Sequence, residues 1–176
     1  MIKPIETKYK GYRFRSRLEA RWAVFFDAIN IQYEYEREGF ELGEGRRFLP
    51  DFYLVDPDCY VEIKPKNLFH IDFDQYINVI VNTALLAQSK SCLLIFGNPY
   101  FGEYNIVGVV KGSEACGHFA LGSKEKNDLW IKKEEFEVCL NQLKNDDQLP
   151  LDKCNKIMDA YKKARQARFE YGENPS

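Results

Sequence analysis

The chain has 176 residues, 45% hydrophobic and 30% charged, which suits one folded domain with a proper core rather than a disordered or bilayer-embedded chain. A net charge of −2 excludes a protein that coats nucleic acid over its whole surface. The five cysteines are odd in number and widely spaced; with only His70 and His118 beside them, they give no zinc-site spacing. No stretch reads as a signal peptide or a membrane span, so a soluble cytoplasmic protein with reduced thiols is expected.

Residues 1–15 read as a basic extended arm in which Lys8-Tyr9-Lys10-Gly11-Tyr12-Arg13-Phe14-Arg15 interleaves cations with aromatics. Such a segment offers phosphate contacts through Lys10, Arg13, Arg15 and Arg17 and ring faces for unpaired bases. It equally fits an edge strand whose aromatics cover the core. A second basic run, from Lys153 to Arg168, lies far along the chain, and the middle is neutral to acidic. Local basic patches on an acidic chain fit contact with a polyanion at one place, or a pair of solvated helix faces.

Ser16 then has the character of a helix N-cap, with Glu19 at capping-box spacing and Leu18, Trp22, Phe25, Phe26 and Ile29 recurring at helical intervals. Residues 31–36 alternate as a half-buried strand, 39–42 form a short strand, and 43–45 turn the chain into a strand over 47–55. Asp56-Pro57-Asp58 supplies turn chemistry, so 47–55 and 60–64 read as one antiparallel hairpin ended by Pro65. A helix is expected over 72–88, then a strand over 91–96 whose unbroken apolar character suits burial on both faces. Further strands are expected at 104–111, 117–121 and 129–131, and helices at 133–143 and 151–169. Strands grouped between helices predict an α/β domain, a mixed sheet flanked by helices, with the 72–96 segment a helical crossover within that sheet.

The hairpin carries the chemistry. Tyr60, Glu62 and Lys64 share one face of their strand, with Val61 and Ile63 on the other. If the loop runs from 55 to 58, Asp51 lies opposite Glu62, and a one-residue change in loop length breaks the pairing. Two close carboxylates repel unless a cation neutralises them. Magnesium does so with one or two carboxylates plus waters and phosphate oxygens, and the Ile63 carbonyl is within reach as a further ligand. Lys64 beside them would orient a water or stabilise charge developing on a phosphate. Read blandly, the same residues are a surface Glu–Lys strand with Asp51 making a turn contact.

Pro50-Asp51 followed by Glu62-Ile63-Lys64, with Glu19 on the preceding helix, resembles the signature of the PD-(D/E)XK nuclease superfamily. The run Tyr12-Arg13-Phe14-Arg15-Ser16-Arg17-Leu18-Glu19-Ala20-Arg21-Trp22-Ala23 is similar to the opening of small phage-encoded members, and residues 160–170 to their tail. The resemblance implies a restriction-endonuclease-like core over 16–96: a helix, three antiparallel strands, a helix and a strand. Residues 97–176 then add strands and C-terminal helices to a single nuclease-like domain. It also implies an endonuclease that hydrolyses DNA phosphodiester bonds with a metal-activated water. Asp51 and Glu62 would bind Mg2+, with Mn2+ able to substitute, Lys64 would assist the water, and Glu19 would complete the metal site. One departure is that Gln75 and Tyr76 are adjacent, where a Gln-x-x-x-Tyr would stand. For Glu19 two roles stay open, since a capping box turns its carboxylate back to the backbone and a metal site turns it inward. Cutting both strands of a duplex at one place asks for a homodimer or a partner. The alternative is a nucleic-acid- or protein-binding phage accessory module of the same fold, acting for example on host defence.

Overall fold

A tight turn at Lys10-Gly11 folds the basic N-terminal segment back on itself in the computed structural model, which describes residues 4–56, 58–66, 72–100, 104–109, 116–121 and 151–169. Strands β1 (Thr7–Tyr9) and β2 (Tyr12–Phe14) pair antiparallel. Lys10 at φ 45° and Gly11 at φ 85° both take the left-handed conformation that a two-residue hairpin of this twist requires. Tyr9 and Phe14 are buried. The aromatics of this segment therefore cover the core, as the edge-strand alternative has it. Phe14 stacks against Phe52 and meets Tyr35 edge-on.

Helix α1 (Arg17–Ala28) follows, capped by Ser16, whose hydroxyl accepts the Glu19 amide at 3.2 Å. Its buried face carries Trp22, Phe25 and Phe26, and the Trp22 indole donates to the Gly97 carbonyl at 2.9 Å. Ser16→Ala is expected to lower stability by about 1 kcal/mol through loss of this cap, measured by chemical denaturation.

The main sheet has six strands in the order β10-β9-β8-β7-β6-β3. They are β3 (Tyr33–Tyr35), β6 (Phe52–Leu54), β7 (Cys59–Lys64), β8 (Ser91–Gly97), β9 (Tyr104–Val109) and β10 (Cys116–Leu121). Among the described strands only β7 and β8 run parallel, and the connection between them carries helix α2 (Phe73–Ala87), the crossover expected from the sequence. Asp72 caps α2 by accepting the Gln75 backbone amide at 2.9 Å.

One expectation is corrected. Residues 47–55 do not form one strand: β5 (Arg47–Phe48) pairs with β4 (Phe40–Glu41) in a separate two-stranded sheet, and only β6 joins the main sheet. Pro50 lies between the two pieces; it has no amide hydrogen for a ladder, which confines it to edges and breaks.

The sheet separates two layers. On one side, α1 and helix α3 (Leu151–Gln166) pack over Cys59, Val61, Ile63, Leu93 and Ile95, with Tyr161 stacked on Phe25. On the other, Leu86 and Ala87 of α2 pack on Tyr60 and Cys92, and Val79 packs on Leu94 and Phe96. Both faces of β8 are thus covered, which is why its sequence is apolar without alternation. Among the described residues no helix is long and apolar enough to cross a membrane. The strand expected at 129–131 and the helix at 133–143 lie outside the described residues.

Candidate functional site

The β6–β7 ladder fixes the register: Phe52 faces Val61, Tyr53 faces Tyr60 and Leu54 faces Cys59. Its loop runs from 55 to 58, with Asp58 in the left-handed conformation at φ 47°. One step beyond the first pair, Asp51 stands opposite Glu62, on the face away from Val61 and Ile63. A side chain closes that end of the ladder: the Ile63 amide donates to Asp51 Oδ2 at 2.7 Å.

Three of the acidic groups here have little access to water. Asp51 is 1% exposed, Glu62 6% and Glu19 7%. Lys64 bridges to Glu62 Oε1, while Glu62 Oε2 is buried without a hydrogen-bond partner. Burial, and then the charge of Glu62, push Asp51 up to about 8. Burial raises Glu62 as well, against the pull of Lys64. Burial works against the charge of Lys64, but Glu62 and Asp51 outweigh it and raise its pKa. Close carboxylates share protons as a pair, so the retained proton belongs to Asp51 and Glu62 together.

Glu19 resolves the two roles left open for it in an unforeseen way. Its Oε1 accepts from the Ser16 hydroxyl at 2.6 Å, and its Oε2 accepts from the Arg15 amide at 3.0 Å and the Tyr35 hydroxyl at 2.5 Å. It caps the helix through the Ser16 hydroxyl and the amide one residue earlier, not through the Ser16 amide. Its charge still reaches Asp51, where it adds to the upward push.

The cations proposed for phosphate contact have protein partners. Lys10 pairs with Asp27 at 3.1 Å, and Arg13 pairs with Glu6 at the surface. Arg17 opens α1. Arg15 reaches the site itself: Nη2 meets Asp51 Oδ1 at 2.8 Å and Nε meets Glu36 Oε1 at 2.7 Å. Sequence reasoning missed Tyr35 and Glu36 here. Glu36 sits at φ 47° just past β3, and its amide donates to the Asp51 carbonyl at 2.9 Å. Glu36 shares this left-handed backbone with the turn residues Lys10, Asn30, Glu44 and Asp58, and the contact it makes with Asp51 is visible only in three dimensions.

Among the described residues, Glu19, Glu36, Asp51 and Glu62 therefore surround two cations, Arg15 and Lys64. The proton retained by Asp51 and Glu62 offsets part of that negative charge, and a divalent cation is one group that would offset it together with the orphaned Glu62 oxygen. Among the described residues no three of His, Cys, Asp and Glu converge closely enough to hold a metal by themselves. Magnesium needs only one or two carboxylates, so Asp51 and Glu62 suffice if waters and substrate supply the rest. No family model, curated protein or solved structure matches this chain.

Proposed function

We propose that this protein is a magnesium-dependent nuclease acting on DNA, built on a restriction-endonuclease-like core of the PD-(D/E)XK type. The observation that carries the reading is the placement of Asp51 opposite Glu62 at a buried strand end, beside Lys64, with one Glu62 oxygen unpartnered. The order of α1, the antiparallel set β3-β6-β7, α2 and the parallel strand β8 supports it.

Asp51, Glu62 and the Ile63 carbonyl are the groups that would hold magnesium, which when bound supplies an acidified water and draws charge from the phosphate. The chain's own residues do the rest. The Ile63 amide fixes the Asp51 carboxylate, and Glu62 Oε1 fixes the Lys64 ammonium. Lys64 then offers a preset positive charge to the phosphate oxygens as water adds at phosphorus and the bond to the sugar oxygen breaks. Glu19, bound to the Arg15 amide and Tyr35, contributes negative charge near Asp51 and holds the wall of the site in place.

Nicking of supercoiled plasmid by purified protein tests this. Cleavage is expected with magnesium or manganese and should stop with EDTA; cleavage that survives EDTA overturns the reading. One observation favours a second reading, a binding module of the same fold: both oxygens of Asp51 already have protein donors. A gel shift without nicking, in both metals and on duplex, branched and single-stranded DNA, selects that module.

A further inference from the structure

We propose that Arg15 is a latch on the site: its guanidinium occupies the cation position at Asp51 and must swing off that carboxylate before a divalent ion can bind. The inference rests on the reading that Asp51 and Glu62 hold such an ion. It goes further by giving a residue outside the acidic pair control over when they do.

Each oxygen of Asp51 has a protein donor. Oδ2 takes the Ile63 amide, which is part of the folded backbone and stays. Oδ1 takes Arg15 Nη2, which comes from a side chain 53% exposed and therefore reaching in from the rim. An ion approaching Oδ1 meets a full positive charge at hydrogen-bond distance, so the two compete for one oxygen.

The surroundings of Arg15 fit a moving side chain on a fixed base. Its backbone amide is held by Glu19 Oε2 at 3.0 Å and by the Tyr35 hydroxyl at 2.9 Å. The guanidinium has a second anchor, Glu36, at 2.7 Å through Nε. Glu36 is only partly exposed, and its backbone N–H donates a hydrogen bond to the Asp51 carbonyl. Release from Asp51 can thus leave Arg15 paired with Glu36, so opening requires only rotation about side-chain bonds and no backbone rearrangement. In that position the planar fork of donors is free to take an anionic phosphodiester, the partner it matches in geometry. Substrate phosphate and divalent ion then favour each other's binding, because each gains from Arg15 leaving Asp51 and such coupling is reciprocal.

Manganese titration of the whole chain without DNA, by calorimetry and by the EPR signal of free ion, tests the latch. Arg15→Gln is expected to bind manganese at least about tenfold more tightly than wild type, the scale on which a contacting opposite charge shifts a carboxylate's affinity for a proton. Arg15→Lys should fall between them. Glu36→Gln removes the outer anchor and should weaken manganese binding. Arg13→Gln removes an equal charge at the surface and should change affinity less than about twofold, which separates contact from general electrostatics. If Arg15→Gln fails to fold by circular dichroism, Arg15→Lys and Glu36→Gln carry the test. Equal or weaker binding by the Arg15 variants, with binding abolished by Glu62→Gln, overturns the latch and leaves the metal reading standing. No binding to any protein at millimolar manganese overturns both.

Discussion

Lys64→Gln is expected to reduce magnesium-dependent plasmid nicking by about 10²–10³-fold, the usual loss when one preset donor to a developing oxyanion is removed. The measurement is single-turnover nicking at saturating metal. Lys64 is the most informative target because its ammonium is the one cation of the site that comes from the same strand as Glu62. Gln keeps an amide donor for Glu62 Oε1 but removes the charge. The variant should also melt several degrees lower, since a buried carboxylate loses its charged partner. Activity within about threefold of wild type would remove Lys64 from the mechanism. Asp51→Ala, which the motif alone suggests, is a poorer probe: it strands the Ile63 amide and Arg15 together with the carboxylate it deletes.

The second large effect is on stability against pH without metal. Asp51 is raised to about 8 by burial and by Glu62, and Glu62 is raised too. Above the ordinary carboxylate range, the unfolded chain has released protons that the folded pair still holds. The folded state therefore binds more protons, and stability falls as pH rises. The contribution is complete below about pH 4 and is lost progressively up to about pH 8. The slope approaches ~1.4 kcal/mol per pH unit for one retained proton. Urea midpoints of EDTA-treated protein should fall across this window, and Asp51→Asn should flatten the profile. Magnesium should restore stability most at the alkaline end, where the pair is ionised. A wild-type profile that rises from pH 5 to 8 would contradict the burial and repulsion described for the pair.

The part of the site that the sequence made legible is the part set by local periodicity. Alternation along 60–64 and a four-residue loop were enough to place Asp51 opposite Glu62, and the apolar run at 91–96 was enough to place β8 inside the sheet. What stayed hidden depends on contacts between segments far apart. Arg15 looked like a phosphate ligand because nothing local shows that β3 delivers Glu36 and the β6 edge delivers Asp51 to its two ends. Tyr9 and Phe14 looked available for bases because a Lys-Gly turn between aromatics is a weak hairpin signal, and Lys10 had to adopt a conformation usually left to glycine or asparagine. The capping-box spacing at Ser16 and Glu19 was sound. Arg15, the residue just past β2, supplied the amide in place of the standard one, and the Tyr35 hydroxyl supplied a third donor.

The stacking of Phe25 on Tyr161 has a consequence for how the protein is made. Every acidic residue of the site precedes Lys64, yet Phe25 of α1 lacks its stacking partner until Tyr161 leaves the ribosome. At usual synthesis rates that interval is on the order of ten seconds. During it, a nascent chain holds Phe25 without the ring that covers it, an exposed apolar surface of the kind that chaperones bind. Chains released before Tyr161 is made lack this contact and should be less stable than the full chain.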